Sequence, residues 1–347
     1  MNKKNVLIIQ QIIPHYRIPI FNKLTESINL TIAAESFDNP DKYKFEHKRI
    51  VLIQIGPFVR IKDFSALKLG SYDAVIFLFN IRFINLWQTL LNFFRSYKLI
   101  VWGIGVSSEE GFDKNHRFDG IRFLAAKLTD ALLFYSNYPL DIYAKKGGIK
   151  TSKMFVAQNT LALESKLFKD DKKYFLFVGT LKKYKKLDKL IQVYSLARKN
   201  DPNLADLHII GDGDYKNQLV KQINILGLTE KVVLHGSITD TVKLESYYKK
   251  AIASVSPAQA GLSVLQSLSM GVPFITNFDS ITGGERLNII NDYNGYLVKS
   301  DEELIEKLCF LSNDRDHALK LGENAYYYFI NECSVDKMVA GFISVLE

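Results

Sequence analysis

At 347 residues, 47% apolar and 24% charged, the chain suits two cores of roughly 150 to 170 residues, and its composition excludes wholesale disorder, collagen-like repeats and a disulfide scaffold. Its two cysteines, Cys309 and Cys333, lie far from any metal-ligand spacing, which fits a reducing compartment and argues against structural zinc. The net charge of +8 sits wholly in residues 1–165, with 22 basic and 14 acidic side chains there against 23 of each beyond. That asymmetry points either to an anionic partner (lipid headgroups, pyrophosphate or nucleic acid) or to solubility alone.

The opening apolar run is too short for a signal peptide and reads as a buried first strand over 5–9. No apolar stretch approaches the ~18 residues that span a bilayer, so a soluble or peripheral protein is expected. The loop that follows gathers His15, Tyr16 and Arg17 at the entrance to a helix, where Arg17 suits a pyrophosphate and Tyr16 a sugar face. Strand-like runs at 30–34, 74–79 and 99–103 alternate with helical patterns. Residues 82–95 have polar side chains at 85, 88, 89, 92 and 95, a helical stripe whose apolar face is expected either in a bilayer interface or in the core. After the strand at 99–103, Gly103 and Gly105 leave space, and 107–117 reads as a loop where an acceptor approaches, with Glu109, Glu110 or His116 as candidate proton acceptors. A strand at 131–135, a helix at 139–146 and a strand at 153–157 close the first domain. Residues 160–173 form the linker.

The alternation then restarts: strands at 174–178, 207–210, 232–235, 253–256, 273–276 and 295–298, helices at 187–199, 214–226, 241–250 and 262–270, and three closing helical segments. Alternating strands and helices predict parallel sheets. The expected fold is α/β, two doubly wound Rossmann-like domains facing across a cleft: an acceptor domain over 1–165, a nucleotide-sugar domain over 166–330, and a C-terminal helix over 331–347 that packs back on the first. Open α/β sheets bind ligands at the carboxyl ends of their strands.

Three turns of the second half suit phosphate. Gly179 ends a strand and opens an eleven-residue stretch with five lysines, of which Lys185 is the expected diphosphate ligand and Lys182, Lys183 and Lys189 read as a solvated face. Gly211 and Gly213 permit close backbone approach, while Asp212 and Asp214 read as a turn and a helix cap, not a metal site. The loop ending at Gly261 opens a helix whose amides, those of Gly261, Leu262 and Ser263, would converge with about half a positive charge on an anion. Gln266 lies one turn further, within reach of sugar hydroxyls.

These turns resemble the nucleotide-sugar domain of the GT-B-fold, retaining family-4 glycosyltransferases (glycosyl transferases group 1). That family's series runs Val-Gly-Arg-Leu-x-x-x-Lys-Gly, Gly-x-Gly, Glu-x-Phe-Gly-Leu-x-x-x-Glu, Gly-x-Pro, Gly-Gly, Asn-Gly. Here Gly179, Leu181 and Lys185, then Gly211 and Gly213, Gly261 and Leu262, Gly271 and Pro273, Gly283 and Gly284, and Asn294 and Gly295 match in order over roughly 170–300. The sequence departs where the family's arginine becomes Thr180 and its two glutamates become Ala258 and Gln266. Glu285 and Arg286 are the candidates to replace the lost carboxylate and cation.

The resemblance implies a metal-independent transfer, without a cofactor, of a sugar from a nucleotide diphosphate to a glycan or polyprenyl-linked acceptor, with retention. The expected catalytic set is Lys185 and Gln266 from the matched positions with Glu285 as the candidate carboxylate, and no nucleic-acid partner is expected. The expected setting is surface polysaccharide assembly in the cytoplasm, peripheral on the inner face of the membrane. A catalytically silent relative that binds a nucleotide, a glycan or a partner transferase is the competing reading. A dinucleotide oxidoreductase is a weaker third, since no GxGxxG follows the first strand.

Overall fold

The computed structural model describes residues 3–37, 40–106 and 118–347. The chain divides into two compact units, Met1–Ala162 with Ser334–Glu347, and Leu163–Cys333.

In the first unit the strands are β1 (Asn5–Ile9), β2 (Asn29–Ala34), β3 (Glu46–Arg49), β4 (Leu52–Ile55), β5 (Phe58–Ile61), β6 (Ala74–Leu78), β7 (Lys98–Gly103), β8 (Ala131–Phe134) and β9 (Met154–Val156), with helices α1 (Ile18–Leu24), α2 (Ile84–Leu90), α3 (Asp119–Leu128) and α4 (Tyr138–Lys145). Among the described residues, seven of these strands form one parallel sheet in the order β3-β2-β1-β6-β7-β8-β9. β1 is apolar at successive positions because both faces of the sheet are covered: Val6 and Ile8 enter one core, Leu7 and Ile9 the other. β4 and β5 stand apart as an antiparallel hairpin, bridged at Val59 to Phe83 beside α2.

Residues 82–95 differ from the expected helical stripe. The helix spans Ile84–Leu90, and its polar residues Asn85 and Thr89 are buried. Asn85 Oδ1 accepts the Ile61 amide at 2.6 Å, and Thr89 Oγ1 donates to the Asn85 carbonyl at 2.7 Å. The hairpin thus claims the polar face, because a buried backbone N–H must find an acceptor. Past the helix, Phe93 and Phe94 are 69% and 97% exposed.

The second unit comprises β10 (Tyr174–Val178), α5 (Leu187–Asn200), β11 (Asp206–Ile210), α6 (Lys216–Ile225), β12 (Val232–Gly236), α7 (Thr241–Lys250), β13 (Ala251–Val255), α8 (Leu262–Ser269), β14 (Phe274–Asn277), β15 (Gly295–Val298), α9 (Asp301–Asn313) and α10 (Arg315–Glu332). Its six described strands are parallel in the order β12-β11-β10-β13-β14-β15. Phe175 and Phe177 of β10 fill one core and Tyr174 and Leu176 the other, so this sheet too is wound on both faces.

The last helix, α11 (Val335–Leu346), belongs to the first unit. Met338, Phe342, Val345 and Leu346 are at most 4% exposed and join the core that contains Trp102. A Cβ at Gly341 would overlap the carbonyl oxygen of Val156 in β9, so glycine lets the helix approach the sheet closely. Burial of each such side chain is worth roughly 1.5–3 kcal/mol. No helix among the described residues is long and apolar enough to cross a membrane.

Candidate functional site

Strand order reverses between β10 and β13 in the second unit, and ligands of open α/β sheets bind at the carboxyl ends flanking such a reversal. The structure brings three of the expected turns to that edge. The turn after β10 continues through Thr180, which is exposed, to a single 3-10 turn at Lys183–Lys185. Lys186 then takes a left-handed conformation at φ 50° before α5 begins. This is the position where the family pattern has glycine, the residue that adopts such a φ without strain.

Neighbouring carboxylates separate lysines that are chemically identical in the sequence. Lys182 pairs with Asp214 at 2.7 Å and Lys189 with Asp301 at 2.8 Å. Lys185 has no ionic partner among the described residues, and burial alone pulls its pKa down. Its Nζ lies over the strand tip, 4.0 Å from where a Cβ on Gly179 would stand. A cation part-stripped of water and lacking a counter-ion is poised to gain from an arriving anion.

Gly211 and Gly213 have a structural explanation. A Cβ on the first would overlap the Gly179 carbonyl oxygen, and one on the second the Leu181 carbonyl oxygen, while the Leu181 amide donates to the Asp212 carbonyl at 2.9 Å. The two loops pack backbone on backbone and fix the ground on which Lys185 stands. Asp214 does not cap α6, whose N-cap is Tyr215 without a side-chain bond. It pairs with Lys182 instead, while Asp212 accepts the Gly213 amide and pairs with Lys216. No group of acidic, histidine and cysteine side chains able to hold a metal occurs among the described residues.

Beyond β13, Gly261 precedes α8, and its carbonyl accepts the Val264 amide at 2.9 Å. The amides of Gly261, Leu262 and Ser263 have no protein acceptor among the described residues, and a Cβ on Gly261 would meet nothing within 4 Å. Free N–H groups, open space and the positive end of the helix coincide here. Gln266 is half-buried one turn on.

Glu285 and Arg286 are not the open carboxylate and cation that the sequence suggests. They are 7% and 5% exposed. Glu285 accepts the Gly283 amide at 2.9 Å, and Arg286 donates to the Ser280 carbonyl at 2.9 Å. Both charges are engaged in shaping the loop that follows β14.

In the first unit the order reverses between β1 and β6. His15 is exposed, Tyr16 half-buried and Arg17 buried at the entrance to α1. Arg17 is not a surface cation: its guanidinium lies 4.3 Å from the Trp102 ring centre and 4.8 Å from that of Tyr135. Burial works to lower its pKa, and the facing hydroxyls of Tyr135 and Tyr16 more than offset this, so the group stays charged. Gly103 and Gly105 do not open room for a ligand, because Phe79 stands 3.1 Å and Phe134 2.7 Å from their would-be Cβ atoms. Glu109, Glu110 and His116 lie outside the described residues.

Sequence reasoning missed three polar residues at this edge: Gln10, Trp102 and Ser136, each at most 4% exposed and each with a side-chain atom lacking a partner. Only Gln10 carries a local signal, a polar side chain continuing the inward alternation of Val6 and Ile8.

Residues 159–327 match the family model described as glycosyl transferases group 1. An uncharacterized glycosyltransferase of Haemophilus influenzae is 24% identical over 209 residues, 59% of this chain and 58% of that protein. A poly(ribitol-phosphate) alpha-N-acetylglucosaminyltransferase of Staphylococcus aureus is 27% identical over 163 residues, 46% of this chain and 32% of its own. The matched stretch thus spans less than two thirds of either relative.

Among solved structures, a glycosyltransferase from Rickettsia africae superposes with a TM-score of 0.74 at 17% identity, covering 100% of this chain and 98% of that one. Anabaena Alr3699/HepE in complex with UDP superposes with 0.73 at 14% identity, covering 99% of both chains. The chain therefore has the GT-B fold, built of two Rossmann-like units, and its residues 159–327 match the family model described as glycosyl transferases group 1.

Proposed function

We propose that this protein transfers a sugar from a nucleoside diphosphate donor to a glycan acceptor. The observation that carries the reading is the Lys185 ammonium, partly desolvated and without a counter-ion, on the same sheet edge as the unclaimed amides of Gly261, Leu262 and Ser263. Both features gain from two linked phosphoryl groups. As the glycosidic bond to the diphosphate breaks, negative charge grows on the leaving oxygens, and preorganised donors there lower the barrier without reorganising.

Gln266 accepts a hydrogen bond from a ribose hydroxyl through its carbonyl oxygen, without charge. Glu285 and Arg286 act as positioning residues that hold the Gly283–Gly284 turn beside the donor. Retention, membership of family 4 and independence of metal and cofactor are carried over from the resemblance. The names of the S. aureus relative and of the UDP complex support a nucleotide-sugar donor and a cell-surface glycan acceptor.

The first unit receives the acceptor around His15, Tyr16 and Arg17, and a polyprenyl-linked saccharide is the favoured form. The basic excess of residues 1–165 and the exposure of Phe93 and Phe94 support work against an anionic membrane on its cytoplasmic face. A second reading, a nucleotide or glycan binder that does not turn over, is favoured by Ala258 and Gln266 standing where the family has glutamates.

A nucleotide-sugar panel tests this. Release of nucleoside diphosphate or glycosylated product is expected with one donor, and Lys185→Ala should weaken UDP or GDP binding by calorimetry about 10- to 100-fold. Binding without turnover supports the second reading; neither binding nor turnover removes both.

A further inference from the structure

The hairpin of β4 and β5 pairs Leu52 with Ile61, Ile53 with Arg60 and Ile55 with Phe58, and its two faces differ from the usual pattern. On the inner face Val59 and Ile61 are buried and join the core beside α2. An antiparallel pair covered on one side ordinarily turns polar side chains to water on the other. Here Val51, Ile53, Ile55 and Phe58 alternate onto the outer face and are 52%, 39%, 46% and 46% exposed. The hairpin is rooted at the carboxyl edge of the sheet. The Ile50 amide donates to the carbonyl of Ala34 at the end of β2, and Val59 is bridged to Phe83 past the end of β6.

Charge is distributed along the hairpin in the same deliberate way. Residues 50–59 carry no charged side chain, whereas Lys48 and Arg49 precede them and Arg60 and Lys62 follow. Arg49, Arg60 and Lys62 are exposed and have no ionic partner among the described residues. The carboxylates stay at the root, where Glu35 accepts the Leu52 amide at 3.4 Å and Asp63 follows Lys62. At the tip, Pro57 has no N–H, and Gln54 spends its side-chain amide on the Gly56 carbonyl at 2.6 Å. Both features lower the cost of taking this turn out of water.

An occupant must therefore be apolar opposite the tip and anionic opposite the flanks. A second copy of the chain would set these unpaired cations against their own counterparts. A leaflet with anionic headgroups gives each part its match, acyl chains for residues 50–59 and phosphates for Arg49, Arg60 and Lys62. Phe93 and Phe94, past the other end of α2, lack that complement, because Arg95 beside them is paired with Asp130 at 2.9 Å.

We propose that the β4–β5 hairpin is a membrane-docking element, which inserts its uncharged tip into an anionic leaflet while its basic flanks engage the headgroups. It deepens the membrane setting proposed above and rests on that reading. Docked in this way, the carboxyl edge that carries His15 and Tyr16 stands next to the lipid surface, and a lipid-linked acceptor reaches it without leaving the bilayer.

Sedimentation of the full chain with vesicles tests this. Binding is expected with vesicles of equal parts phosphatidylglycerol and phosphatidylcholine, and at least about 10-fold less with phosphatidylcholine alone or at high salt. The double variant Ile55→Ser, Phe58→Ser should weaken binding at least about 10-fold. Arg60→Gln with Lys62→Gln should weaken it about 10-fold at low salt and flatten its salt dependence. Neither pair should alter UDP affinity. Undiminished binding by the tip variant overturns the proposal, as does equal binding to neutral and anionic vesicles.

Should the tip variant fail to fold, Phe58→Trp decides. In a Trp87→Phe background the only other indole is the buried Trp102. Quenching of the new indole by lipids with brominated acyl chains supports insertion, and its absence overturns it. A concentration-dependent dimer that the tip variant dissociates would assign the face to a second copy and overturn the membrane occupant. Loss of binding in Phe94→Ser but not in the tip variant would overturn the hairpin and keep the membrane reading. No binding to any vesicle removes both. Vesicle binding without sugar transfer to a water-soluble acceptor would leave this surface standing and remove the transfer reading.

Discussion

The two units share a strand order around their reversal points and build the carboxyl edges of their sheets by different means. In the second, the edge is backbone on backbone: Gly211 and Gly213 lie against the carbonyls of Gly179 and Leu181, and the donors left open there are amides and one half-buried ammonium. In the first, the edge is side chain on side chain, with a guanidinium packed in the corner between the edge-to-face rings of Trp102 and Tyr135. One topology thus gathers positive character in two ways. Amides and a half-buried lysine do so with donors left open, whereas the arginine's charge is buried and held by the facing hydroxyls of Tyr135 and Tyr16.

That contrast breaks most readily at glycine. Gly211→Ala puts a Cβ onto a backbone oxygen and is expected to cost at least about 3 kcal/mol. Gly103→Ala meets the Phe79 side chain at 3.1 Å and should cost about 1 kcal/mol. Both tryptophans, Trp87 and Trp102, lie in the first unit. Urea unfolding followed by their emission and, in parallel, by far-ultraviolet circular dichroism assigns each loss to its unit. Equal costs at the two glycines would remove the distinction between the edges.

Acid should weaken the second unit next. His208 in β11 and His235 in β12 approach within 3.1 Å, Tyr247 reaches His235 at 3.1 Å, and Tyr174 stacks on His208 at 3.8 Å. Burial, assisted by the neighbouring His235, pulls His208 down to about 4, and burial also lowers His235. An unfolded chain with histidines near 6.5 takes up protons that the folded pair refuses. Stability from this pair is therefore complete above about pH 6.5 and falls as the pH drops toward 4, by about 1–2 kcal/mol after solvent screening. Urea midpoints of wild type and His208→Gln at pH 7 and 4.5 check this; the variant should show the flatter dependence.

The smallest effect sharpens the reading of the lysines. Lys182→Ala removes a salt bridge with the exposed Asp214, and surface pairs contribute little. UDP affinity by calorimetry is expected to stay unchanged, against the large loss for Lys185→Ala. Comparable losses in both variants would mean that general basicity, not the unpaired ammonium, draws the nucleotide.

Much of the second unit is legible in the sequence. The strands at 174–178 and 295–298 and the helix at 241–250 fall where expected, because each is an apolar or periodic run bounded by a turn or a change of pattern. β3 escapes notice because Glu-His-Lys-Arg has no apolar alternation; it is an edge strand defended by charge and defined by its pairing with β2. The polar face of α2 is misread for a related reason, since the hairpin that buries Asn85 lies more than twenty residues upstream. Lys185 is distinguished from Lys182 only by where Asp214 and Asp301 come to rest, and Arg17 meets Trp102 only once the sheet has formed. Contacts of long sequence separation leave no local signature.

The return of α11 to the first unit has a further consequence for synthesis of the chain. Trp102 packs on Phe342 with ring centres 4.8 Å apart, so part of the core around β1 is supplied by residues translated after the whole of the second unit. A ribosome releases the second unit whole while the first still waits for its closing helix, and until then an apolar sheet face stays open to chaperones or aggregation.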